Sequence, residues 1–445
     1  MAEIIPFRAL HYNPRQVSKL EDVVTQPYDK ITPAMQSRYY GLNPYNAVRI
    51  IRGRENPSDS PNDSVYTRAA ASFHEWIENQ VLISDTEPSL YPYYQEYSVP
   101  GQSGSTQQRR GFIALCRLED YKAGVVHRHE ETLSGPKADR LQLLKSTRVH
   151  FGQIFMLYSD PAGEIETLLA AKTHPKPWES LTDEYSTRHS VWRVADPHLV
   201  GRVVKAMQPK QLVIADGHHR YETALAFRDY CRTKREKAER AEYVMVTCIR
   251  METDGLAILP THRVMHSLPN FRWGRFIGDA QEFFNWEEVK LEGPPEKRAE
   301  LFAHRLGRAG RTGPTIGVYA GQGTHGLLSV RKDMSFEQLL PDVPQKLRSL
   351  DVVILHRIIL ERVLGIDAQA VREEKNLHYE RDFGSALGAV DGGKAQVSFL
   401  MNPTPIQEVW ENALAGNVLP QKSTDFYPKL LSGLTLYWLN NPAGI

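Results

Sequence analysis

Residues 211–225, QLVIADGHHRYETAL, hold the densest set of groups able to do chemistry. An apolar strand ends in Asp216-Gly217, and a helix opens near His219. The first N–H groups of a helix have no partner within it, and the helix dipole adds partial positive charge there. His218, His219 and Arg220 surround that end. Free N–H donors, a planar guanidinium fork and proton-capable imidazoles are what a phosphate needs. Gly217 lets the backbone come close to a ligand. The plainer reading makes Asp216 an N-cap and the histidines surface residues. A metal is the weaker fit. Adjacent histidines on a helix point about 100° apart. His218 and Glu222 are four apart, but the spacing supplies no third ligand.

Four further segments carry candidate groups. Residues 126–144 pack His127, His129, Glu130, Glu131, Lys137, Asp139 and Arg140 around a Ser-Gly-Pro turn. Glu130 could serve as a general base or a Mg²⁺ ligand, Lys137 and Arg140 could neutralise phosphate, and Thr132 and Ser134 could cap or bind anions. The competing picture is a charged loop followed by an amphipathic helix from about Ala138. In Leu259–Arg263, Arg263 could grip a carboxylate or phosphate, or form a structural ion pair. Near the C-terminus, Lys422, Ser423, Thr424 and Lys429 form a polar basic cluster on a turn-rich segment, whose plain alternative is a packed loop. In Gln26–Asp29, Asp29 could bind an amine or a metal, or merely close a turn.

Positioning these groups requires mixed secondary structure. Val65–Leu82 is predicted as an amphipathic helix with Ala69, Phe73, Trp76 and Ile77 along one stripe. Leu90–Val99 and Gly111–Arg117 are predicted strands of a long hairpin around a Gly/Ser loop. Further strands are predicted at Ile154–Tyr158, Gln211–Ala215, Tyr243–Arg250, Ile258–Leu259, Thr315–Ala320 and Gln396–Met401. Helices are predicted from Tyr221 to about Arg240, around Asp351–Leu364 and near Pro405–Ala415. The class is α+β or mixed α/β, with a catalytic part over 1–270 and a C-terminal mixed α/β part over 271–445. The last segment, 417–434, is expected to return to the active site.

Two glycine patterns mislead. Gly321–Gly326 matches GxGxxG, but LLSVRK follows it as a second strand rather than a helix, so a hairpin turn is the better reading. Gly388–Lys394 has phosphate-loop spacing, yet Ala395 stands where a Mg²⁺-binding Ser or Thr belongs, and a strand follows.

The chain has 445 residues, long enough for two or three domains and a full core without disulfides. Lys+Arg number 54 against 53 Asp+Glu, a balance with no electrostatic footprint for nucleic acid. Three cysteines fit a reducing compartment better than a disulfide scaffold. No long apolar run spans a membrane and the start does not read as a signal peptide, so a cytoplasmic location is expected.

Taken together, these segments resemble one family, long catalogued as a domain of unknown function and known as the "DUF ten-fifteen" family. The matching blocks are PYD at Pro27–Asp29, NPYN at Asn43–Asn46, HEET at His129–Thr132 and PKADR at Pro136–Arg140. They continue with ADGHHRYETAL at Ala215–Leu225, LPTHR at Leu259–Arg263 and PQKSTDFYPKLLSGL at Pro420–Leu434. One departure is Asp425, which stands where an aromatic is expected. Members with known activity look like free serine kinases, which make O-phospho-L-serine from L-serine, a step toward cysteine biosynthesis. Their core resembles the fold shared by ParB proteins and sulfiredoxin. The resemblance implies that His218, His219 and Arg220 hold donor phosphates, with Gly217, Lys137, Arg140, Lys422, Ser423 and Thr424 as further phosphate contacts. It implies that Asp216 and Glu130 serve the serine hydroxyl as base or Mg²⁺ ligand, with His219 as a third catalytic candidate. Asp29, Trp192 and Arg263 are its substrate-side candidates. ATP, ADP or pyrophosphate would be the donor. The alternatives are a non-enzymatic nucleotide-binding regulator of ParB type, or a metal-dependent hydrolase using His127, His129, His218 or His219.

Overall fold

The runs Ile154–Tyr158 and Tyr243–Arg250 read as strands because they are short, apolar and rich in β-formers. In the computed structural model they lie side by side in parallel at the centre of a large sheet. The structure describes residues 1–101, 104, 106–131, 134–173, 176–235, 239–321 and 324–444. Thr132 lies outside the described residues, as do parts of the Gly/Ser loop and of the Gly321–Gly326 turn.

The chain divides into two compact units. The first comprises Met1–Arg128, Thr132–Ala257 and Pro428–Ile445. The second comprises His129–Glu131 and Ile258–Tyr427.

In the first unit, nine strands among the described residues form one mixed sheet. They are β1 (Ile4–Ile5), β2 (Tyr91–Ser98), β3 (Thr106–Arg117), β4 (Val126–His127), β5 (Ile154–Tyr158), β6 (Glu179–Thr182), β7 (Arg188–Val191), β8 (Leu212–Asp216) and β9 (Tyr243–Arg250). The order is β4-β8-β5-β9-β3-β2-β7-β6, with β1 against β3. The β2–β3 hairpin pairs antiparallel from Tyr91↔Ile113 to Ser98↔Thr106. Arg109 sits on this hairpin among buried neighbours, 1% exposed.

Three helices of this unit follow from their apolar spacing. Helix α1 (Val65–Glu78) starts at a Ser64–Thr67 capping box and buries Ala69, Phe73 and Trp76. Helix α2 spans Ser134–Thr147, a turn earlier than the expected start at Ala138. Proline is tolerated in a first helical turn, where its missing N–H forfeits no helical hydrogen bond. Helix α3 (His218–Thr233) buries Tyr221, Ala224, Phe227 and Cys231. It ends well before the expected Arg240, because no apolar residue continues that stripe through Arg232–Arg235.

The second unit is built on a six-stranded antiparallel sheet. Its strands are β10 (His262–Met265), β11 (Phe284–Glu288), β12 (Thr315–Tyr319), β13 (His325–Val330), β14 (Leu377–Glu380) and β15 (Val397–Leu400), in the order β11-β13-β12-β15-β10-β14. The β12–β13 pairing closes at Tyr319↔His325, so the GxGxxG stretch is a hairpin connection. The phosphate-loop look-alike is the end of helix α4 (Phe383–Asp391) and the turn after it. The segment predicted as one helix around Asp351–Leu364 is a short α-turn, Asp351–Ile354, that widens into a π-helix over Leu355–Val363. The wide turn buries Leu355, Ile358, Ile359 and Leu360.

Candidate functional site

In the first unit, β8 ends at Asp216 and Gly217 turns the chain into α3 with φ of 96°. Gly217, not Asp216, is the N-cap, and no side chain caps the helix. His218 and His219 form its first two positions, half-buried. The end of a long helix with no side-chain cap is the anion-favouring feature read from the sequence.

Asp216 is the hub of this turn. Its Oδ2 accepts from Arg220 Nη2 at 2.7 Å, and its Oδ1 accepts from Lys429 Nζ at 2.9 Å. Burial pushes the carboxyl up, but Lys429 and Arg220 outweigh it, His218 adds to their effect, and the group sits well below the usual carboxylate range. A carboxylate so stabilised is a poor proton acceptor. Arg220 also donates to the Gln153 carbonyl. The Arg220 guanidinium covers the Gly217 backbone: a Cβ there would meet it at 2.9–3.0 Å.

Lys429 was read from the sequence only as a member of the Lys422–Thr424 cluster, not as a partner of Asp216. Gln95 Nε2 donates to its carbonyl at 2.9 Å, and Arg109 donates to the preceding carbonyl of Pro428. Arg109 Nε also reaches Gln95 Oε1 at 3.0 Å, and its guanidinium lies 4.7 Å from the Phe155 ring. Burial brings its pKa down to about 10. The signal was present in the alternation of β3, which sets Arg109 on the face of Ile113 and Leu115.

The flanking cations are engaged too. Lys137 Nζ pairs with Glu222 at 2.8 Å. Arg140 pairs with Asp139, donates to the Ile51 carbonyl and covers the Tyr28 ring at 4.2 Å. Burial and the nearby Asp29 push the Tyr28 hydroxyl up to about 12. Asp29 is exposed on the short turn Tyr28–Lys30. A cavity of about 70 Å³ borders Tyr28, Arg140, His150, Gly152, Arg220 and Ser432. A wider pocket of about 280 Å³ shares Ile51, Arg140 and Leu143 with it. Trp192 packs on Tyr94 with ring centroids 4.9 Å apart, and its Nε1 is buried without a hydrogen-bond partner.

In the second unit, Glu130 lies beside the Leu419–Thr424 turn. Leu419 N donates to the His129 carbonyl at 2.8 Å, and Lys422 N donates to Glu130 Oε1 at 2.7 Å. His129 Nε2 and Thr424 Oγ1 are hydrogen-bonded at 2.7 Å, and Ser423 Oγ donates to the Pro420 carbonyl. The Ser423 hydroxyl, expected on phosphate, therefore holds its own turn, and that of Thr424 joins the turn to His129. Arg263 is 1% exposed and spends its guanidinium on the carbonyls of Thr261, Gln421 and Lys422, so it does not reach out to a ligand. The unexpected Asp425 is buried against Arg381, with Arg381 Nε 2.6 Å from its Oδ2.

Magnesium asks for oxygen ligands such as carboxylates, phosphates and water. Asp216 does not fit, since each oxygen already faces a cation. Glu130, 17% exposed at its side chain, is the carboxylate of suitable type. Among the described residues, no group of three His, Cys, Asp or Glu side chains is arranged to hold a metal ion, and no helix is long and apolar enough to cross a membrane.

No curated protein matches the chain. Among solved structures, a free serine kinase in complex with AMP is 12% identical, covering 71% of this chain and 86% of its own at a TM-score of 0.34. A conserved hypothetical protein from Pyrococcus furiosus is 11% identical, covering 74% and 95% at a TM-score of 0.36. SbnI from Staphylococcus aureus, truncated at its C-terminus, is 11% identical, covering 74% and 90% at a TM-score of 0.36. A family described as "protein of unknown function (DUF1015)" matches residues 4–353, short of the Pro420–Leu434 block but most of the chain, and the chain belongs to that family.

Proposed function

We propose that the protein is a phosphotransferase that moves a phosphoryl group from a nucleotide or pyrophosphate donor to the hydroxyl of free L-serine. The observation that carries this reading is the pair of cations, Arg220 and Lys429, fixed on Asp216 at the start of α3. Phosphoryl transfer needs mainly positioning and charge stabilisation, with a carboxylate to orient the nucleophile. Arg220, Lys429 and the N–H groups at His218 and His219 are the donors suited to phosphate oxygens. The turn from Asp216 to Arg220 is the element that resembles the phosphate-binding turn of the ParB and sulfiredoxin fold.

Of the two carboxylates that the resemblance implies for the hydroxyl, Asp216 is committed to its cations; the resemblance gives Glu130 as the other. In the proposed step the serine Oγ forms a bond to phosphorus and the phosphoanhydride P–O bond breaks. The Oγ proton passes to the Glu130 carboxylate, and the donor leaves as the shorter phosphate. Mg²⁺, where Glu130 holds it instead, would neutralise phosphate charge.

The test is a donor panel. The purified chain is incubated with L-serine, Mg²⁺ and ATP, ADP or pyrophosphate in turn, and O-phosphoserine is measured by mass spectrometry. Product with one donor supports the kinase and identifies the donor. Nucleotide binding without product from any donor would favour a regulator.

A further inference from the structure

Arg109, Gln95 and His189 stand directly opposite one another on the neighbouring strands β3, β2 and β7. Their side chains therefore share one face of the sheet, and all three are buried. Buried polar groups are costly unless hydrogen-bonded, so a row of three needs partners. One end of the row is held by Asp183, whose Oδ2 lies 3.2 Å from His189 Nε2, while the Tyr93 hydroxyl lies 2.6 Å from His189 Nδ1. At the other end Arg109 Nε donates to Gln95 Oε1 at 3.0 Å. With its oxygen so engaged, the Gln95 amide presents Nε2 to the Lys429 carbonyl, 2.9 Å away. Arg109 Nη2 donates to the carbonyl of Pro428. Two consecutive carbonyls are thus fixed from the sheet. A lysine stem is flexible, so the direction of its ammonium depends on how firmly its backbone is held. The Lys429 side chain is 10% exposed, and its Nζ lies 2.9 Å from Asp216 Oδ1.

We propose that Arg109 is a positioning residue: through Gln95 and the Pro428 carbonyl it anchors the Pro428–Lys429 backbone to the sheet, and so holds the Lys429 ammonium on Asp216. The geometric part of this inference stands by itself; its effect on the donor rests on the reading of Lys429 as a phosphate contact. Loss of Arg109 removes the bond to Pro428 and frees the Gln95 amide to turn. The segment then moves, and Lys429 leaves Asp216 for part of the time.

The primary readout is the rate at which the Lys429 amine of the full chain is acetylated by an N-hydroxysuccinimide ester at fixed pH. It is followed by mass spectrometry, with exposed Lys375 as the internal reference. In Arg109→Met the Lys429 rate is expected to rise about tenfold, the population change that loss of one charged hydrogen bond brings. An unchanged rate in folded Arg109→Met overturns the inference. Arg109→Lys keeps the charge but cannot reach Gln95 and Pro428 together, and should give a smaller rise; if Arg109→Met does not fold, an unchanged rate in Arg109→Lys overturns it instead. The catalytic consequence is a split. Arg109→Met raises the donor KM about tenfold, while kcat stays within about twofold. In a Lys429→Met background the same substitution adds nothing further, because its route is already cut. Effects that add in full would show that Arg109 acts by another route, and would overturn the inference. If the unsubstituted chain makes no phosphoserine from any donor, the phosphotransferase reading fails, and the acetylation rate still decides the role of Arg109.

Discussion

Asp216 and Glu130 look alike in the sequence: each is a carboxylate next to a histidine or a glycine in a polar segment. The structure separates them by their partners. Asp216 has a cation on each oxygen, whereas Glu130 accepts a backbone N–H on Oε1, lies 3.9 Å from His129 Nε2 through Oε2, and keeps part of its side chain at the surface. Their isosteric variants should therefore fail differently. Glu130→Gln is expected to cut kcat by about 10²–10⁴-fold with donor KM little changed, as loss of a general base does. Asp216→Asn releases Arg220 and Lys429 and should mainly raise the donor KM. Steady-state kinetics with each substrate varied in turn separate the two. The residue types of both sites were legible, because acids, bases and cations cluster visibly in a chain. Their partners were not: Lys429 meets Asp216 across more than two hundred residues, and no spacing rule reaches that far.

At the scale of elements, the strand–glycine–helix turn was readable because its signals are local. An apolar run stops, a glycine takes φ of 96°, and an apolar stripe of helical period begins. Gly217→Ala tests that turn. Alanine in this backbone region costs about 1–2 kcal/mol, and its Cβ displaces the Arg220 guanidinium. The expected result is a thermal midpoint lower by several degrees together with a raised donor KM. The π-helix over Leu355–Val363 was not readable, since its apolar residues suit an α-helix equally well. In β10 a second titrating device is set by packing alone. His262 is fully buried, its Nδ1 accepts the Met401 N–H at 3.1 Å, and burial brings its pKa down to about 3. The unfolded chain, with an ordinary imidazole, binds the proton first as pH falls. Stability from neutral His262 is thus complete above about pH 6.5 and is lost as the pH drops toward 3, about 2 kcal/mol of it between pH 7 and pH 5. The urea midpoint of His262→Gln should fall less between those two pH values than that of the unsubstituted chain.

Over the whole molecule, the mixed α/β class followed from alternating strand and helix patterns, and family membership followed from short blocks such as DGHHR. The sequence did not reveal that His129–Glu131 groups with Ile258–Tyr427, nor that the division of the last segment falls at Pro428. Such assignments depend on contacts between distant segments, among them the Leu419 N–H on the His129 carbonyl and the Arg109 guanidinium on the Pro428 carbonyl. The central claim is the transfer of phosphate to serine, and phosphorus NMR follows it without coupling enzymes. With L-serine, Mg²⁺ and the preferred donor, the account predicts a phosphomonoester signal of O-phosphoserine. That signal should grow in step with loss of the donor's terminal phosphate, and it should be absent in Glu130→Gln. Donor consumed to inorganic phosphate with no serine ester, or donor left intact by folded protein, would contradict it.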